Sequence, residues 1–95
     1  MYKSKFSNPD IDQLYEAILS LDNEEDCYRF FEDLCTIKEI FDMAQRLKVA
    51  KMLRDKRPYQ EIVNETKAST ATISRVNKSL MYGADGYYLY FQKKK

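Results

Sequence analysis

The stretch ASTATISRVNKSL, residues 68–80, sets the hydroxyls of Ser69, Thr70, Thr72 and Ser74 beside the guanidinium of Arg75. Serine and threonine are mediocre helix formers, so a helix built from them asks for another use. Ile73, Val76 and Leu80 fall at i, i+3 and i+7, the spacing of one inward helix face. The outer face then carries Thr70, Ala71, Ser74, Asn77 and Lys78, with Arg75 toward one flank. Such short side chains let a helix approach a groove closely. Their hydroxyls can meet phosphates and base edges, and an alanine or threonine methyl can meet a thymine methyl. Ser69 is a good N-cap, and the helix start offers N–H groups to a phosphate. The plainer alternative is an αα-hairpin whose exposed face happens to be rich in serine and threonine.

The preceding segments are what must position that helix. Tyr59, Ile62, Val63 and Thr66 form one stripe, with Gln60, Glu61, Asn64 and Lys67 outside. A break around Lys67 and Ala68 separates this short helix from the next, which makes a helix-turn-helix pattern over about residues 58–80. The turn position near Lys67 calls for a left-handed backbone, at a cost of order 1 kcal/mol for a non-glycine residue. Upstream, Thr36 and Glu39 have capping-box spacing. A long helix is expected from there to about Asp55, stopped by Pro58. Ile40, Phe41, Met43, Ala44, Leu47, Val49, Ala50, Met52 and Leu53 cover most of its circumference. A helix that is apolar nearly all round is buried on several sides, which in so small a chain suggests a partner subunit. Asn8-Pro9-Asp10 and Asn23-Glu24-Glu25-Asp26 read as two earlier helix starts. Gly83 and Gly86 bracket a turn, and YYLYFQKKK reads as a last helix with lysines at its negative end. A strand is the alternative for those aromatics.

Composition bounds the rest. The chain has 95 residues, 44% hydrophobic and 33% charged, with two glycines and two prolines. It is expected to form a single all-α domain over residues 1–95. The net charge of +1 hides a dipole. Residues 1–45 carry four basic and eleven acidic residues, a net −7, and residues 46–95 carry twelve and four, a net +8. A basic half points to a polyanion partner, although charge runs also arise as plain solvated faces. No apolar run is long enough to span a membrane. MYKSKFSNPD has no signal-peptide core, so a cytoplasmic chain is expected. Cys27 and Cys35, without CxxC spacing and without any histidine, do not make a zinc site and read as reduced core residues. With no histidine, no glycine-rich phosphate loop and no paired acid and base, the chain is not expected to be an enzyme, and no metal is expected.

LCTIKE, MLRDKRPYQEI and ATISRVNKSL together resemble the Trp repressor superfamily, and within it the YerC/YecD type, over about Leu34 to Tyr87. The resemblance implies an all-α, intertwined homodimer with a helix-turn-helix in each subunit. It implies a bacterial, sequence-specific DNA-binding regulator, a repressor in the main, on two-fold double-stranded operators. The two reading helices would then lie about 34 Å apart, one turn of DNA. Its DNA-contacting positions fall on Tyr59 and Gln60 and on Thr70, Ala71, Thr72 and Ser74, to which the residue pattern adds Ser69, Arg75 and Lys78. Tyr59 also continues the Ile62/Val63 stripe, so a core role stays open for it. A co-repressor site would match Thr36, Arg46, Arg75 and Ser79. Each has a plainer role as well: Thr36 as a cap, Arg46 as a partner of Asp42, Arg75 on phosphate. The glycine that the family places after the reading-helix arginine, leaving room for an indole, is Val76 here, which argues against tryptophan. No cofactor is expected. The competing reading is a helical dimerisation or protein-interaction module without specific DNA binding.

Overall fold

The computed structural model describes residues 2–93. Six helices follow one another: α1 (Pro9–Leu19), α2 (Glu24–Leu34), α3 (Ile37–Arg54), α4 (Tyr59–Thr66), α5 (Thr70–Tyr82) and α6 (Gly86–Lys93). There is no strand among the described residues, so the aromatics of the last segment are helical. Lys94 and Lys95, counted among the lysines at the end of that helix, lie outside the described residues.

The helix starts are where side-chain chemistry puts them. Asn8 Oδ1 accepts the Ile11 N–H at 2.8 Å, and Pro9 occupies the first helical position. Asn23 Oδ1 accepts the Asp26 N–H at 2.8 Å. Ser69 Oγ accepts the Thr72 N–H at 3.1 Å. In each case the cap oxygen satisfies a donor that the first helical turn leaves unpaired. α3 begins one residue after Thr36, as the Thr36/Glu39 spacing predicts.

The chain divides into two compact units, one up to Ile37 and one from Lys38 on. In the first, α1 and α2 contain no buried residue. Ile11, Leu14, Ile18, Phe30 and Phe31 are half-buried, and the last two meet edge to face with centroids 5.5 Å apart. Cys35 is half-buried and Cys27 is exposed, so neither free thiol is a core residue of this chain, contrary to expectation.

The second unit holds the core: Val49, Ala50 and Met52 of α3, Ile62 of α4, Ala68 of the turn, Ile73, Val76 and Leu80 of α5, and Phe91 of α6. The expectation that α3 is buried nearly all round is not met within one chain. Its buried residues are confined to its C-terminal half, while Ile37, Phe41 and Met43 stay exposed. Two cations of α3 lie on aromatic rings of α6: Lys51 Nζ is 5.5 Å from the Tyr90 centroid, and the Arg54 guanidinium carbon is 4.5 Å from that of Phe91. Cations over ring faces are attracted by the ring quadrupole while their stems cover apolar surface.

Candidate nucleic-acid interface

α3 ends in a Schellman-type corner. Lys56, at φ 61°, donates its N–H to Leu53 O at 3.0 Å, and Arg57 donates its N–H to Met52 O at 3.0 Å. Pro58 then leads into α4 from an extended conformation. The corner after α4 is fixed from several sides. Lys67 adopts φ 62°, ψ 13°, the left-handed conformation that the motif demands, and its N–H reaches Val63 O at 2.9 Å. The Thr66 hydroxyl donates to Ile62 O at 2.7 Å and accepts the Ala68 N–H at 3.1 Å. From α3, the Gln45 side-chain amide donates to Thr66 O at 3.0 Å. With Ala68 buried beneath it, this turn aims α5.

α5 buries Ile73, Val76 and Leu80. Its opposite face presents Thr70, Ala71, Ser74, Arg75 and Lys78, all exposed. Neither Arg75 nor Lys78 forms an ion pair with a carboxylate among the described residues. Ser69 and Thr72 stand apart from the other hydroxyls. Ser69 Oγ is committed to the cap, and it also donates to Thr72 Oγ1 at 3.1 Å. Thr72 is half-buried, so its part in the site is to brace the start of the helix. Asn77 does not belong to the outer face: it is half-buried, and its amide donates to Met81 Sδ at 3.7 Å.

Tyr59 and Gln60 open α4. Tyr59 is 39% exposed, so it is not a core residue of this chain. Gln60 is exposed, and its amide donates to Asn64 Oδ1 at 3.2 Å. Two residues before Tyr59, Arg57 is held by partners on α4. The Arg57 guanidinium donates to the carboxylates of both Glu61 and Glu65. The hydrogen bond it donates to Glu61, with the charges of both glutamates, holds its pKa above the usual arginine value, so it is charged throughout the accessible range. The i, i+4 spacing of Arg57 and Glu61 was a usable signal. The reach to Glu65, two turns along α4, was not, because it depends on the backbone entering at the Lys56 corner.

Each residue of the candidate effector site has its own local surroundings. Ser79 borders a groove of about 430 Å³ with Leu47, Gly83, Tyr87 and Tyr90, and neither Arg46 nor Arg75 lines it. Arg46 is half-buried and does not pair with Asp42, which accepts from Lys38 Nζ at 2.8 Å. Thr36 lies in the first unit and has interactions of its own. Val76 is 2% exposed, packed into the core. Gly83 ends α5 where a Cβ would stand 2.4 Å from Ser79 O, so this close approach requires glycine.

Residues 9–95 match the family described as Trp repressor protein. The YerC protein of Bacillus subtilis, itself uncharacterized, is 56% identical over 87 residues, covering 92% of this chain and 84% of its own length. A TrpR-like protein from Eubacterium eligens superposes with a TM-score of 0.91 at 54% identity, over 94% of this chain and 92% of that one. A Staphylococcus aureus protein described as a candidate Trp repressor gives 0.90 at 48% identity, over 95% and 90%. The six-helix architecture is thus the Trp-repressor-like all-α fold, and the likeness extends to the YerC type read from the sequence. That family is one of regulators rather than enzymes. With α5 capped by Ser69 and the left-handed turn in place, the chain belongs to the Trp repressor family.

Proposed function

We propose that this protein is a cytoplasmic, sequence-specific DNA-binding transcription regulator, a repressor in the main, acting as a homodimer on two-fold operators. The observation that carries the reading is α5 itself. It is a rod held by Ile73, Val76 and Leu80 whose free face offers Thr70, Ala71, Ser74, Arg75 and Lys78, the last two without carboxylate partners among the described residues. Short hydroxyl and methyl side chains read base edges at close range, and unpaired cations take phosphates. Lys48 and Lys56 are further exposed cations of the same unit. Lys51, Arg54 and Arg57 are engaged with rings or carboxylates instead.

Dimerisation is supported by what the single chain leaves uncovered. Tyr15, Leu19, Tyr28, Leu34, Ile37 and Phe41 are all more than half exposed. Apolar surface on that scale marks an interaction surface, and a second copy would cover it while pairing the reading helices. No helix of the described residues is long and apolar enough to cross a membrane, so the same surface is not a bilayer span.

The reading needs no tryptophan. Val76 fills the position that the family resemblance gives to glycine, and the groove that Ser79 borders is lined by neither Arg46 nor Arg75. Selection of bound sites from random duplex DNA, with and without a pool of amino acids, tests all parts together. The expected result is a palindromic consensus with half-sites about one helical turn apart, enriched equally in both arms. Absence of any consensus, with the chain folded, overturns the reading in favour of a protein-interaction module. A consensus appearing only with amino acids overturns the ligand-independent part.

A further inference from the structure

Between residues 56 and 80 the only acidic side chains are Glu61 and Glu65, and both are bound to Arg57. The remaining cations of that stretch, Lys56, Lys67, Arg75 and Lys78, are exposed and carry no ion pair among the described residues. All the negative charge of the motif is therefore gathered around one arginine at the entrance to α4. The trio sums to −1. It is open to water, with 36% of the Arg57 side chain and 45% and 44% of the two glutamate side chains accessible. The Arg57 backbone is pinned by its N–H to Met52 O, and its bonds to Glu61 and Glu65 lay the guanidinium along α4.

We infer that Glu61 and Glu65 act as an electrostatic brake on DNA backbone binding, holding Arg57 away from phosphates and placing a net negative charge at the start of the first motif helix. The inference rests on the DNA-binding reading above. In helix-turn-helix docking the first helix lies across the sugar–phosphate backbone, and Lys56 and Arg57 lead directly into that helix here. Phosphate contacts supply affinity without sequence information. A negative group at the backbone therefore lowers binding to every sequence, while contacts from Thr70, Ala71 and Ser74 to bases are untouched. The shared term cancels from the ratio of the two affinities, so that ratio is kept, while less protein is held on random sequence at concentrations that still fill the operator. Surface ion pairs are worth little for stability in themselves, so their removal need not unfold the chain.

The test compares the intact protein with the double variant Glu61→Gln/Glu65→Gln, which keeps side-chain size and frees Arg57. A labelled duplex of random sequence is titrated from about 50 to 200 mM salt, the range over which phosphate contacts are lost. The expected result is binding about tenfold tighter at the low end and a log–log salt slope steeper by about one, the signature of one added phosphate contact. Arg57→Gln, which leaves two uncompensated carboxylates, should shift affinity the other way. Circular dichroism confirms that each variant is folded, and Glu65→Gln alone serves as the milder variant should the double one unfold. An unchanged salt slope, or weaker binding by a folded glutamine variant, overturns the inference and makes the trio a structural tie. If the intact protein binds no duplex at all at 50 mM salt, the DNA reading fails, and the inference with it.

Discussion

α1 and α2 bury nothing, while α3 to α6 enclose a core that runs from Val49 to Phe91. The two regions also differ in charge, the first acidic and the second basic. Both are helical and both carry well-formed N-caps, so local chemistry alone does not separate them. What separates them is where their apolar residues go. In the second unit these residues hold α5 in place. In the first, Tyr15, Leu19, Tyr28 and Leu34 face outward and call for a covering surface. Under the proposed function, the second unit supplies the reading element and the first joins two copies.

The sharpest way to break this contrast is to cut the core. Ile73 is fully buried, and Ile73→Ala should cost about 3 kcal/mol through lost burial and the cavity left behind, measured by urea unfolding. In the first unit, Leu19 is 84% exposed. Leu19→Asp should leave helicity intact and weaken self-association at least tenfold, followed by sedimentation velocity. A loss of helicity as large as that of Ile73→Ala would erase the distinction. Next in size is Ser74→Asp, which sets a carboxylate on the reading face. Close to a helix N-terminus it does not oppose the dipole. It should lower operator affinity about tenfold or more with an unchanged circular dichroism spectrum; a collapse of that spectrum would make Ser74 structural. The smallest effect is expected at Lys67. Lys67→Gly relieves the left-handed residue but loosens the unfolded chain, so stability should rise by less than about 1 kcal/mol in thermal melts.

The elements were legible where the signal is local. Asn8, Asn23 and Ser69 announce helix starts through side-chain oxygens that reach back to the backbone, and Lys67 was identifiable as the left-handed residue because the motif leaves no other place for it. The residues of α5 separated cleanly into inner and outer faces, except for Thr72 and Asn77, whose side chains found partners on their own helix. Tertiary pairings were not legible. The net +8 of residues 46–95 does not say which cations are free: Lys51 and Arg54 sit on aromatic rings and Arg57 between glutamates, arrangements that depend on how α6 packs on α3 and how the chain enters α4. The apolar circumference of α3 was read correctly as composition, but a single chain covers only its C-terminal half.

The left-handed corners at Lys56, Lys67 and Asp85 are all made without glycine. A joint whose residue carries a Cβ samples fewer conformations than one made of glycine, so α4 and α5 meet at a stiff angle. In a two-fold assembly such joints would act as a calliper of set opening. Inserting one base pair between half-sites moves them about 3.4 Å apart and rotates one about the axis by roughly a tenth of a turn. If the proposed function holds, a tool so rigid would measure operator length as strictly as operator sequence.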